Sequence, residues 1–132
     1  MWFSIGPSRW SNWVADFDPV FTALKRLLES HAGRLFVKAD EPGNYYLETM
    51  AFSNRGMRMF FGAVQIKKSY VSFHLMPVYG CPALREGMSP ELKKRMQGKS
   101  CFNFTSVDEK LFRELGRITD AGFKKFHSAK YI

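Results

Sequence analysis

Apolar residues recur with two different periods along this chain, and the changes of period mark its elements. Behind Asp18-Pro19, Phe21, Leu24, Leu27 and Leu28 fall at helical spacing, and the pattern stops near Gly33. A proline suits a first helical turn, so a helix is predicted there with Lys25, Arg26 and Glu29 facing water. From Leu35 the period is two. Strands are predicted over 35–38 and 45–52 around the turn Glu41-Pro42-Gly43-Asn44. The turn Ser53-Asn54-Arg55-Gly56 leads to a strand over 57–66, and Lys67-Lys68-Ser69 connects it to one over 70–76. In that last strand Val71, Phe73 and Leu75 alternate with Tyr70, Ser72 and His74. One apolar and one mixed face is the pattern of an antiparallel sheet covered on one side.

Pro77, Gly80 and Pro82 interrupt the strand period, and a short helical turn is predicted over 82–86. A further helix is predicted over 90–97, with Ser89 as N-cap, Pro90 in the first turn, Leu92 and Met96 facing inward and Gly98 as the stop. A fifth strand follows over 100–104. Ser106-Val107-Asp108-Glu109 reads as a capping box, opening a long helix whose inner face carries Leu111, Leu115, Ile118 and Phe126, with Phe112, Thr119 and Phe123 beside them. Lys124, Lys125 and His127 suit its negative end. The first sixteen residues hold Trp2, Phe3, Trp10 and Trp13 without either period. They read as an aromatic arm over 1–16, ahead of a single domain over 17–132.

Composition agrees with such a fold. At 132 residues, 45% apolar with 13 Phe, the chain can bury roughly two-thirds of its unfolded surface in one core. Its two cysteines, Cys81 and Cys101, are too few for a disulfide framework. The opening residues lack the basic and apolar regions of a secretory signal, and no apolar run approaches the roughly 18 residues of a membrane span. A cytoplasmic protein with no membrane partner is expected. Lys and Arg outnumber Asp and Glu by 20 to 12, a net charge of +8, which favours anionic partners.

The order of elements, with Ala63-Val64-Gln65-Ile66-Lys67-Lys68-Ser69-Tyr70-Val71-Ser72-Phe73 in the sheet and Gly98-Lys99-Ser100-Cys101-Phe102-Asn103-Phe104 before the closing helix, resembles the bacterial YdhG-like family over roughly 18–126. That resemblance implies a small α+β, frataxin-like fold with an antiparallel sheet of about five strands packed on N- and C-terminal helices. One family member is an iron chaperone, a role resting on acidic residues along the first helix and sheet edge. Here that helix offers Asp16, Asp18 and Glu29 against Lys25 and Arg26, a departure that disfavours iron.

The chemistry-bearing residues are sparse. Gly98-Lys99-Ser100 resembles the end of a phosphate loop, but Lys93 stands where that motif needs glycine and the strand and helix are in the wrong order, so Gly98 reads as a helix stop. His74, Cys81 and Cys101 lack metal-ligand spacing, and His74 reads as packed and hydrogen-bonded. Asp108 and Glu109 are accounted for by the cap, Glu114 and Asp120 by an exposed helix face. No catalytic residues, metal site or cofactor are expected.

What remains is basic and aromatic: Arg55, Arg58, Lys67 and Lys68 near turns, Lys93, Lys94, Arg95 and Lys99 on and after one helix, and Tyr70, Phe73 and Tyr79 between them. Two readings stand, a solvated basic surface or an anion-binding groove. On the second, the chain is a non-enzymatic binding domain for a small anionic ligand or acidic protein, with Lys67, Lys68, Tyr70, His74, Lys93 and Lys99 as ligand-binding residues. The alternatives are low-specificity nucleic-acid binding and, disfavoured by charge, frataxin-like iron binding.

Overall fold

In the computed structural model, residues 16–52 and 56–132 are described. The aromatic arm expected over 1–16 lies outside them except for Asp16, as do Ser53, Asn54 and Arg55 of the expected turn. Helix α1, Asp18–Glu29, starts with Pro19 in its first turn and buries Val20, Phe21, Leu24 and Leu28 along one stripe. A single 3-10 turn, Ala32–Arg34, then hands the chain to the sheet.

The sheet has strands β1 (Leu35–Glu41), β2 (Asn44–Phe52), β3 (Arg58–Ile66), β4 (Val71–Leu75), β5 (Met96–Gln97) and β6 (Cys101–Phe104), ordered β1-β2-β3-β4-β6-β5. Every pairing is antiparallel. Between β4 and β5 run three short helices, α2 (Met76–Gly80), α3 (Pro82–Glu86) and α4 (Pro90–Lys93), and the long α5 (Glu109–Ser128) closes the chain. The fold is therefore α+β, as the periods require.

One face of the sheet is apolar and buried. Val71, Phe73 and Leu75 of β4 and Phe102 of β6 are each 0% exposed. They join one core with Leu24 and Leu28 of α1 and Leu115, Phe123 and Phe126 of α5. Burial on this scale contributes roughly 1.5–3 kcal/mol for each large side chain, and it fixes which face of each strand points inward.

A β-bulge adds one side chain to this face. Leu47 pairs with Gly62 but Glu48 with Phe60, leaving Phe61 as the extra residue of β3. The bulge turns Phe61 into the core, edge-on to Phe126 at 5.7 Å and to Phe123 at 6.1 Å. Gly62 beside it has no room for a side chain, since a Cβ there would come within 3.1 Å of the His74 carbonyl and of Leu28.

The structure corrects several expectations. The sheet has six strands rather than five, because the helix expected as far as Gln97 stops at Lys93. One turn suffices to bury Leu92 completely, after which the Arg95 carbonyl accepts from the Asn103 amide at 2.8 Å and Met96 pairs with Phe102. Cross-strand pairing thus ends the helix, and Gly98 (φ 77°) serves as the turn residue of the β5–β6 hairpin rather than as a helix stop.

The capping box is also displaced. Asp108, not Ser106, caps α5, its carboxylate accepting from the Leu111 amide at 3.1 Å. Aspartate caps as well as serine and leaves Glu109 in the first turn, where the helix dipole favours it. Lys25 does not simply face water: its Nζ lies 2.8 Å from Asp40 and 5.0 Å from the Tyr45 ring centre. Asp40 holds that ammonium's pKa above its ordinary value, outweighing the opposing effect of burial. Glu114, expected on an exposed face, is half-buried and bound to Ser89.

Candidate anion-binding groove

The face of the sheet opposite the core carries a different set of residues. Side chains alternate along a strand and cross-strand partners share a face. Tyr46, Ala63, His74, Cys101 and Gln97 are therefore on one surface through the pairs Tyr46↔Ala63, Ala63↔His74, His74↔Cys101 and Gln97↔Cys101. Gln65, Ser72 and Asn103 join them. Tyr46, Gln65, His74, Cys101 and Asn103 are half-buried, and Ala63 sits between larger partners.

At the β5 end this surface opens into a groove of about 390 Å³ lined by Ser69, Tyr70, Lys94, Arg95, Met96, Gln97, Asn103 and Thr105. Its position follows from two turns. The β3–β4 connection delivers Ser69 and Tyr70, closed by the Lys67 amide donating to the Tyr70 carbonyl at 2.7 Å. From the other side, α4 delivers Lys94 and Arg95. Ser89 caps that helix, its hydroxyl accepting from the Leu92 amide at 3.2 Å, and Leu92 anchors it in the core. Asn103 donates through its side-chain amide to the side-chain Oε1 of Gln97 and so fixes the groove floor. The Arg95 guanidinium lies 5.9 Å from the Phe104 ring centre.

None of the lining residues carries a carboxylate, while two carry positive charge and one an aromatic ring. Such a set can receive a phosphate or carboxylate through charge-assisted hydrogen bonds and hold a planar group against Tyr70. A larger groove of about 490 Å³, lined by Pro82, Arg85, Glu86, Lys93, Met96 and Gly98, is less suited. It includes the Glu86 carboxylate, and its Arg85 already donates to the Val78 and Tyr79 carbonyls at 2.7 and 3.1 Å.

The six expected ligand-binding residues do not form one cluster. Tyr70 lines the first groove and Lys93 the second. Lys67 and Lys68 are exposed on the turn immediately before Ser69, and Lys99 is exposed in the β5–β6 turn. His74 lies four residues beyond Tyr70, about 13 Å along the strand. Its Nε2 shares a hydrogen bond of 2.7 Å with the Ser100 hydroxyl, and its ring meets Phe60 at 4.6 Å. Burial lowers the His74 pKa, because it disfavours the charged imidazolium. Burial pushes the Cys101 thiol up, against a Ser72 hydrogen bond and the charge of Lys67, which both favour the thiolate.

Lys94 and Arg95 stand among the basic residues that the sequence singles out, whereas Gln97, Asn103, Tyr46 and Phe60 do not. For Tyr46 and Phe60 the signal was strand alternation, masked by the bulge at Phe61. Among the described residues no group of three His, Cys, Asp or Glu side chains is placed to hold a metal ion, and no helix is long and apolar enough to cross a membrane.

Fold and groove together define an α+β domain with one helix-covered and one half-open sheet face, carrying a basic groove at the sheet's edge. No family model, curated protein or solved structure matches the chain.

Proposed function

We propose that this chain is a non-enzymatic binding domain of the YdhG-like type that takes a small anionic ligand in the groove between Tyr70 and the 94–97 segment. The observation that carries the reading is the lining itself: Lys94 and Arg95 beside an aromatic ring, with Lys67 and Lys68 on the adjoining turn and no carboxylate among the lining residues. Its volume falls within the roughly 300–1,000 Å³ of ligand pockets, and its polar groups converge from two separate elements. The excess of Lys and Arg over the whole chain, +8, adds long-range attraction for the same sign of ligand.

The test is a titration of nitrogen-15-labelled protein with inorganic phosphate and then with a nucleoside monophosphate. Amide shifts should concentrate at Ser69, Tyr70, Lys94, Arg95 and Asn103 and should saturate. Lys94→Ala and Arg95→Ala should each weaken the monophosphate about tenfold, the scale of one charge-assisted hydrogen bond. Shifts scattered over the surface, or affinities unmoved by both substitutions, would overturn the reading.

A further inference from the structure

We infer that the anion received by the groove is part of a single-stranded nucleic acid laid across the half-open face of the sheet, with bases stacking on a ladder of rings. The inference rests on the groove being an anion site and goes further by naming the class of ligand. The ladder crosses three strands. Tyr46 of β2 and Phe60 of β3 have ring centres 4.9 Å apart, and Phe60 and His74 of β4 are 4.6 Å apart. All three rings are half-buried. They belong to the face opposite the core, so their packing adds nothing to the helix-covered interior. Beyond His74 the same face continues through Ser72, Asn103 and Gln97 into the groove, where Tyr70 supplies another ring.

Positive charge accompanies the rings along their length. Lys38 Nζ lies 5.3 Å from the Tyr46 ring centre with 59% of its side chain exposed. The Arg58 guanidinium sits 4.0 Å from the Phe36 ring centre and 4.6 Å from that of Phe52, and its Nε is buried with no hydrogen-bond partner among the described residues. Lys67, exposed on the turn beside the groove, carries a charge that acts on Cys101 of this same face. Two carboxylates share this face, and both are engaged: Glu48 lies 3.5 Å from Lys38, and Glu41 accepts from Asn44 at the outer corner. Cations that track a backbone beside sequence-tolerant ring faces are the composition of a single-strand binder. An acidic peptide would use the cations but would have no need of the rings.

The experiment is fluorescence anisotropy with a labelled oligothymidylate, alongside a nucleoside monophosphate titrated on the same preparations. The oligomer should bind at least tenfold more tightly than the monophosphate, and its affinity should fall about tenfold or more between 50 and 200 mM salt. Tyr46→Leu and Phe60→Leu, which keep apolar bulk but remove the ring, should each weaken the oligomer by about tenfold and leave the monophosphate unchanged. Arg95→Ala should weaken both. Circular dichroism confirms that each variant is folded. An oligomer that binds no more tightly than the monophosphate overturns the inference and spares the groove; failure of both ligands removes the two together. Equal competition by polyglutamate also overturns it, since the surface would then read charge alone.

Discussion

The carboxylate of Glu114, in the second turn of α5, accepts both from the backbone amide of Ser89 at 2.8 Å and from its hydroxyl at 2.7 Å, so α5 holds the start of α4. The Ser89 hydroxyl in turn accepts from the Leu92 amide. This chain of bonds orients the segment that carries Lys94 and Arg95. Glu114→Ala leaves a partly buried amide without its partner, at a cost of about 1–3 kcal/mol. The expected result is a thermal midpoint several degrees lower, together with weaker binding of monophosphate in the groove. Glu114→Gln retains one acceptor and should lose less on both counts.

Two glycines of α5 should respond to the same substitution with opposite signs. Replacing a helical glycine by alanine ordinarily gains about 1 kcal/mol. At Gly116 the nearest atom to an added Cβ is Leu27 Cδ2 at 3.4 Å, an ordinary contact, so Gly116→Ala should raise stability by close to that amount. At Gly122 the new Cβ would fall 2.8 Å from the Pro77 Cβ and 3.1 Å from its Cγ. Overpacking there costs about 1–3 kcal/mol, and Gly122→Ala should be destabilising on balance. Denaturant midpoints of the two variants check the pair, and a gain at Gly122 would show that α2 yields to α5.

The sheet and the closing helix were legible because burial imposes their periods. Val71, Phe73 and Leu75 alternate since one side of β4 meets the core, and Leu111, Leu115 and Phe126 recur since one side of α5 does. The sixth strand was not legible: Met96–Gln97 is too short to show a period, and its pairing with Cys101 and Phe102 is decided across the chain rather than within it. The groove was half legible for the same reason. Charge marked Lys94 and Arg95, and spacing marked Tyr70, but only the order β4-β6-β5 brings them together.

Stability should depend on pH through His74. Its folded pKa lies below the roughly 6.5 of an unfolded histidine because burial disfavours the imidazolium. The unfolded chain therefore binds the proton more readily. The contribution of His74 is fully present above about pH 6.5 and is lost as pH falls through the folded value. Urea midpoints at neutral and mildly acidic pH should fall more steeply for the native chain than for His74→Gln, and the difference between the two slopes isolates this residue from other titrating groups. Equal slopes would mean that the imidazole gains compensation from Ser100, which lies 2.7 Å from its Nε2.

Phe60 and Phe61 are neighbours with opposite roles because the bulge sends them to opposite faces. Phe61 is 0% exposed and packs edge-on to Phe123 and Phe126. Phe60 is half-buried between Tyr46 and His74 on the open face. Removing a fully buried ring costs about 3–5 kcal/mol, a large part of a domain's total stability, so Phe61→Ala should shift the urea midpoint strongly without changing its slope. Phe60→Ala removes a ring already partly in water and should cost about 1–2 kcal/mol by the apolar area lost. Oligonucleotide affinity should order them the other way, with Phe60→Ala losing binding at temperatures where it is fully folded and Phe61→Ala losing it only as the chain unfolds. If both variants lost stability equally, the bulge would not separate the two faces, and the ring ladder would belong to the core.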